Sequence, residues 1–483
     1  MKNILIAIRS IFKKGRHNVM KIVSLGIGLA VGLVLIAKVY FEQSYDDFYP
    51  DRDRVYQVWA KYQQNGGELK DYPQTSGGIA PTMQQQIPEI ETVTRYTSFG
   101  DWTFTMTDTK MKYSGRCIIA DSCFFDILPR PMLIGNAKEV LSTPMYVLIS
   151  SRIAKNIGGD VIGKNFTVDN SPGRTMTIGG VFEEVPENSH SRYDVIVSMA
   201  SAGRFMWEGS PTNMLGNDRY ISYVKLHKGV NPLALEEQVR TFVNSYFPPE
   251  EQQKVGLSID FSFHKLDNLH KELPQVKRMT WILSLLAFAL IFTAVMNYIL
   301  IVISSIVNRS KEVAVHKCYG ASENNIHGMM FGEALVHIVL SLILALLLIL
   351  AFRGTVEELL ATSLDSLLLS NGSLVLLGIC ILVFFVSGFM PGSLYARIPV
   401  ASAFRNYREN KRIWKKALLL VQFVATGFLV TMLVFVARQY TFMVNDRPGY
   451  AYENLAYCGL AGVDSTSRAK ILDEVMRLPG VAA

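Results

Sequence analysis

Two apolar runs, residues 281–307 and 331–351, flank a short basic connector, residues 308–330, and this arrangement limits the fold more than any other feature of the chain. As a helix rising about 1.5 Å per residue, each run is long enough to cross a hydrocarbon core of about 30 Å. So short a connector has to lie at one membrane face, and Arg309, Lys311 and Lys317 assign it to the cytoplasm under the positive-inside bias. Three more runs meet the same length criterion, at residues 22–40, 374–394 and 417–436. The loop after the third run carries Arg353 against Glu357, Glu358 and Asp365, which suits the outside. The linker 395–416 carries Arg397, Arg405, Arg408, Lys411, Arg412, Lys415 and Lys416 against Glu409, which suits the inside. Charge and parity agree along the whole chain.

Residues 1–21 carry Lys2, Arg9, Lys13, Lys14, Arg16 and Lys21 with no acid, and Ile4, Leu5, Ile8, Ile11 and Phe12 share one helical face. That pattern predicts an amphipathic helix in the inner headgroup layer. The run 22–40 is too long for the apolar part of a signal peptide and has no small-residue cleavage site after it, so it reads as the first span. Within it Ser24, Gly28 and Gly32 are spaced four apart, a stripe that admits a second helix at close range.

A chain that is 49% hydrophobic with a mean hydropathy of +0.22 is too apolar for a soluble enzyme and too polar for a bare helical bundle. The polar part is residues 41–277, which contain no span and form a domain outside the cytoplasmic membrane. Val55 to Trp59 alternate at period two, Pro81 to Gln86 suit a helical turn, and Thr175 to Phe182 read as a strand interrupted by Gly179-Gly180. The expected fold is a multi-pass α-helical membrane protein with an inserted α+β domain. The unit also recurs. Ile8-Arg9 and Arg16 before the first span return as Phe404-Arg405 and Arg412 before the fifth, Gln43 as Gln439, and Ile87-Pro88 as Leu478-Pro479. Residues 437–483 therefore read as the start of a second, incomplete copy, which would need roughly 300 further residues to finish. The net charge of +7 gathers at membrane edges and forms no continuous stripe, so nucleic acid is not an expected partner.

Most sites that look chemical are not. Gly158 to Asn165 has phosphate-loop spacing, but Asn165 stands where a Ser or Thr would bind magnesium, so a turn feeding the next strand is expected. His264 and His270 flank Asp267, which reads as a polar helix edge rather than a metal site. No catalytic, cofactor-binding or metal residue is assigned. Cys117 and Cys123 lie outside at a spacing that leaves their pairing open. Glu333 sits just inside the third span, where an ionisable group is cheap if it locks the connector to that span. Asn297 reads as helix-helix glue, and Pro391-Gly392 as the end of the fourth span. Glu312, Val313, Val315 and His316 have helical spacing, Gly320 reads as a stop and Ser322 as a new N-cap, so two short surface helices are expected in the connector.

Lys311-Glu312-Val313-Ala314-Val315-His316-Lys317-Cys318-Tyr319-Gly320-Ala321-Ser322 resembles the KE(V/I)xxxKxxGAS signature of the FtsX/MacB-like ABC transporter permeases, also called type VII or mechanotransmission transporters. Residues 162–168 with 176–186 resemble a passage of the MacB-like periplasmic core domain in that family. The resemblance implies a bacterial inner-membrane permease subunit with a cytoplasmic N-terminus and a large periplasmic domain. It implies that the connector rests on a separate ABC ATPase, which binds ATP and magnesium, and that this chain couples motion and catalyses nothing. The implied contact residues are Lys311, Glu312, Val313, Lys317, Gly320 and Ala321. Export of peptides or drugs and lipoprotein handling, with a periplasmic adaptor or client, both fit. The alternative is an FtsX-like regulator of a cell-envelope partner. A gradient-driven transporter comes last, because the spans hold almost no ionisable residue near their midplane.

Overall fold

The computed structural model describes residues 17–168, 171–216, 218–369, 371–396, 399–401, 413–445 and 465–481. The expected amphipathic helix up to residue 16, most of the basic linker, residues 446–464 of the second copy, and the repeat matches at Ile8, Arg9, Arg16, Phe404, Arg405 and Arg412 lie outside the described residues. The described residues divide into two compact units, one of residues 17–43 with the described residues of 274–445 and one of the described residues of 44–273 with 465–481.

Among the described residues of the first unit, five helices are long and apolar enough to cross a membrane: Asn18–Gln43, Pro274–Ser304, Glu323–Ala351, Ser373–Ala396 and Leu419–Asn445. In hydrocarbon the hydrophobic effect does not drive helices together, so close packing and polar contacts must. A Cβ on Gly28 would run into Ala294 and one on Gly32 into Ile291, both on the second span, while one on Gly26 would meet Leu344 of the third. The small-residue stripe thus sets the first span against its neighbours, and Leu25 and Leu29 are 0% and 1% exposed beside it.

Three features of this unit differ from the sequence expectation. The helix Glu323–Ala351 is continuous, so the second surface helix expected in the connector is the first part of the third span. No proline lies between the Ser322 cap and Ala351, Gly328 and Gly332 are carried within the helix, and a polar composition does not interrupt the backbone hydrogen bonds. The fourth span does not end at Pro391. Its helix runs on to Ala396, tolerating the missing backbone donor at Pro391 inside a packed segment where Ser387, Gly388 and Gly392 are all buried. The second span begins earlier than expected, at Pro274, and stops at Ser304, because Ser305 separates it from a further helix, Ile306–Cys318.

The second unit is built on one mixed sheet whose strands are β1 Val55–Gln64, β2 Lys70–Tyr72, β3 Ile90–Met106, β4 Lys112–Ala120, β5 Met132–Ile134, β6 Tyr146–Ser150, β7 Asn165–Val168, β8 Ser171–Phe182, β9 Val195–Ser198, β10 Ile221–Leu226 and β11 Leu257–Lys265. Their order is β11-β1-β10-β3-β4-β9-β6-β8-β5, with β2 beside β1 and β7 bridging β3 and β8. The pairs β4–β9 and β6–β8 are parallel and the rest antiparallel. With helices packed beside the strands, this is the expected α+β class. The period-two reading of β1 does not describe its environment: Val55, Tyr56, Gln57 and Val58 are all buried. β1 is an inner strand with apolar cores on both faces, Tyr56 and Val58 in one and Val55 in the other. His264 sits on β11, not on a helix edge, and its ring stacks on Trp59 at 4.2 Å.

Replacing Gly28 with leucine is expected to force the first and second spans apart and to cost about 1–3 kcal/mol, the range for overpacking. Thermal unfolding of the detergent-solubilised chain reads this as a lower midpoint. Gly378→Leu, at a position with open space around it, is expected to leave the midpoint unchanged.

Candidate functional site

The helix Ile306–Cys318 carries the residues singled out in the connector, and its ends are set by local chemistry. Gly320 takes a left-handed backbone with φ of +85°, which a side chain would resist. The Ala321 amide donates to the His316 carbonyl at 3.0 Å and the Gly320 amide to Lys317 at 3.0 Å, so the last carbonyls of the helix are satisfied as the chain turns away. Ser322 then caps the third span, its hydroxyl accepting from the Asn325 amide at 3.4 Å.

One face of this helix is turned into its own unit. Arg309 is 5% exposed and forms a two-pronged pair with Glu333 of the third span, Nη2 to Oε2 at 2.8 Å and Nη1 to Oε1 at 3.1 Å. Lys21 of the first span approaches the same carboxylate at 3.7 Å and donates to Asn18 at 3.2 Å. The Arg309 guanidinium lies 5.4 Å from the ring centre of Tyr395 on the fourth span. The Tyr395 hydroxyl in turn donates to the Val302 carbonyl at 3.0 Å and meets the Ser305 hydroxyl at 3.1 Å. Lys317 reaches the Ala396 carbonyl at 2.6 Å. A single buried polar cluster therefore ties the connector helix to four spans.

The six residues expected to meet a partner are not equivalent. Lys311 and Gly320 are exposed, and Glu312, Lys317 and Ala321 are half-buried. Val313 is 1% exposed, so its side chain packs inward with Ala314. The outward face instead presents Val315, His316, Cys318 and Tyr319, the last 89% exposed. Val315 and Tyr319 follow Lys311 at intervals of four, the helical signal that would have marked them. Lys21 and Tyr395 were not singled out, because no local pattern connects them to Glu333.

A second polar contact lies elsewhere in the first unit. Lys38 pairs with Glu42 at 2.7 Å and donates to Thr362 at 2.8 Å, joining the first span to the loop between the third and fourth.

In the second unit the phosphate-loop look-alike is a glycine-rich turn leading into β7, with Asn165 accepting from the Thr177 hydroxyl at 2.8 Å. His270 stacks on Tyr45 at 3.7 Å. Cys117 and Cys123 are both free thiols. Cys123 donates to the Val93 carbonyl at 3.0 Å, and burial, with the Asp121 carboxylate nearby, pushes its thiol up to about 11.

Two family descriptions match the chain: the MacB-like periplasmic core domain over residues 20–242 and the FtsX-like permease C-terminal region over residues 284–400. Among solved structures, a domain assigned to a permease protein of Porphyromonas gingivalis is 33% identical, over 45% of this chain and 91% of that one, with a TM-score of 0.42. The periplasmic region of MacB from Actinobacillus actinomycetemcomitans is 15% identical over 43% of this chain and 87% of that one, with a TM-score of 0.30. The extracellular domain of the noncanonic ABC-type transporter YknZ from Gram-positive bacteria is 11% identical over 42% and 98%, with a TM-score of 0.31. No curated protein matches the chain.

Glu333→Gln removes the buried carboxylate that Arg309 and Lys21 share, leaving Arg309 the more distant, half-buried Glu312 at 3.7 Å, and is expected to destabilise the first unit by about 3 kcal/mol, as when one partner of a buried pair is removed. The double replacement Arg309→Met with Glu333→Leu is expected to cost less than Glu333→Gln alone. Unfolding midpoints of the purified variants in one detergent check both, and a double loss equal to the sum of the losses from Glu333→Leu and Arg309→Met measured singly would show that the pair is not coupled.

Proposed function

This chain belongs to the FtsX/MacB-like ABC permeases and is a permease subunit of an ABC-type system, and from that premise we propose that helix Ile306–Cys318 is where a separate ATPase subunit acts on it. The observation that carries this reading is the clamp on the inner face of that helix. A rigid body that is pushed on one side moves its neighbours only if it is held on the other, and Arg309, Lys317 and the buried Val313 hold it to the spans. Nucleotide binding in the partner would bias two arrangements of the clamped bundle, which is what coupling by a two-state element requires.

The partner contacts are Lys311 and the side chains of its face, Val315 and Tyr319, with Glu312, Lys317, Gly320 and Ala321 at the border and Val313 acting through packing. ATP and magnesium belong to the partner, and this chain's share of the work is mechanical. The N-terminus and the connector face the cytoplasm, and the moved element is the periplasmic domain. The work done there is export of a peptide or drug, or handling of a lipoprotein, with a periplasmic adaptor or client as the further partner.

The test is co-purification from membranes in mild detergent. A P-loop ATPase is expected at fixed stoichiometry and is expected to be lost from the double variant Lys311→Glu with Tyr319→Ser, whose unfolding midpoint should equal that of the parent. Retention of the ATPase by that variant would sink the assignment. Orientation is checked separately through Cys318, which is exposed. A membrane-impermeant maleimide is expected to label it in inverted vesicles and not in intact spheroplasts. Cys123, with its raised thiol pKa, is expected to stay unlabelled in both at neutral pH, because the thiolate is the reacting form.

A further inference from the structure

The second unit contains a cavity of about 220 Å³ walled by Arg116, Arg130, Arg152 and Arg192 against Glu184 and Asp194. Four arginines thus line it beside two acidic residues, and both carboxylates are already engaged. Arg152 Nη2 lies 2.6 Å from Asp194 Oδ1 and Arg152 Nε 3.4 Å from Glu184 Oε1. The other Asp194 oxygen accepts from the Arg116 backbone amide at 2.9 Å. Among the described residues no carboxylate lies within salt-bridge reach of the side chains of Arg116, Arg130 or Arg192.

Arg130 is the unusual member. It stands between Pro129 and Pro131, and Pro131 restricts its backbone to an extended form and so fixes where its side chain starts. The side chain is 5% exposed. Its guanidinium carbon lies 5.1 Å from the ring centre of Phe182, 5.8 Å from Tyr193 and 5.9 Å from Phe124 and Phe125. These rings shield the faces of the cation, and Tyr49 approaches it as a neutral phenol whose own pKa is raised by burial. The in-plane donors remain: neither Nε nor Nη2 has a hydrogen-bond partner. Two orphaned donors on a buried cation are costly, and these two lie on one edge of the guanidinium, the side-on fork that grips a planar or tetrahedral oxyanion through two parallel bonds.

We propose that this cavity is an oxyanion-binding site, its ligand a carboxylate or phosphate group held by the Nε and Nη2 edge of Arg130, with Arg116 and Arg192 supplying charge at the rim. The volume admits one such group with a small substituent, and it excludes a folded segment. The site concerns residues of the second unit alone, so it stands whether or not an ATPase drives the chain.

The full chain in detergent is titrated with inorganic phosphate and, separately, with N-acetylglycylglycine, at ionic strength held constant with chloride so that screening does not vary. Calorimetry and the unfolding midpoint are both read. At least one probe is expected to bind saturably and to raise the midpoint, as a ligand of the folded state must. Arg130→Met is expected to abolish that rise. Arg116→Gln with Arg192→Gln changes exposed side chains only, which keeps the test open if Arg130→Met fails to fold, and it is expected to weaken binding about tenfold. Response to phosphate alone identifies a phosphorylated ligand, response to the peptide alone a carboxylate-bearing one, and response to both a general oxyanion site. Saturation by neither probe, or an unchanged response in the rim variant, overturns the proposal and leaves Arg130 as a structural cation held by its aromatic shell.

Discussion

The arrangement of the membrane unit depends on one buried ion pair. Between apolar helices in lipid there is little to choose among packings, since hydrocarbon tails are as apolar as leucine side chains. A carboxylate and a guanidinium change that, because neither tolerates hydrocarbon alone. Glu333 can be placed only where Arg309 and Lys21 reach it, and that condition brings together the first span, the third span and the connector helix. Tyr395 adds the fourth span by facing the guanidinium and holding the backbone at Val302. The Lys38, Glu42 and Thr362 contact applies the same logic to the loop after the third span. Glycines decide how near the helices come, and charges decide which helices they are.

The periplasmic unit solves a different problem, since water is its solvent and burial of apolar surface is available to it. Three apolar cores line its sheet, with Phe104 and Phe166 in one, Val58 and Phe242 in another and Phe124 and Phe182 in the third. Where its chain begins and ends, polar groups take over. Asp46 is 1% exposed and accepts from the Ser189 hydroxyl at 2.7 Å and from the His190 ring, while Tyr45 lies against both His190 and His270. Lys271 pairs with Asp47 at 3.2 Å. The first and last residues of the domain are thereby fastened to the domain itself.

What could be read from the sequence was whatever depends on neighbours in the chain. The apolar runs, the left-handed stop at Gly320, the cap at Ser322 and the oddity of an acid at Glu333 are all local, and each appears in the structure. Partners remote in sequence were not legible: nothing near Lys21 or Tyr395 announces a contact with Arg309 or Glu333. Hydropathy also misplaced a boundary, since residues 323–330 are polar enough to look like a surface segment and yet continue the helix of the third span. Val313 was read as a partner contact on the strength of a motif, and the pair Val313-Ala314 is buried. Arg130 escaped notice because a lone arginine between prolines looks like a turn, and its aromatic surroundings come from four separate places in the chain.

The joint between the connector helix and the third span is only a few residues long, from Tyr319 to Ser322. A helix turns about 100° with each residue, so one residue added on the connector side of that joint would rotate Lys311 and Tyr319 relative to Arg309's partner on the third span. The inward and outward faces could not both be kept. Substitutions on the exposed face are therefore free to follow a changing partner, while the length of this segment is not free to change at all. Among relatives of this chain, the connector should vary in side chain and hold constant in residue count.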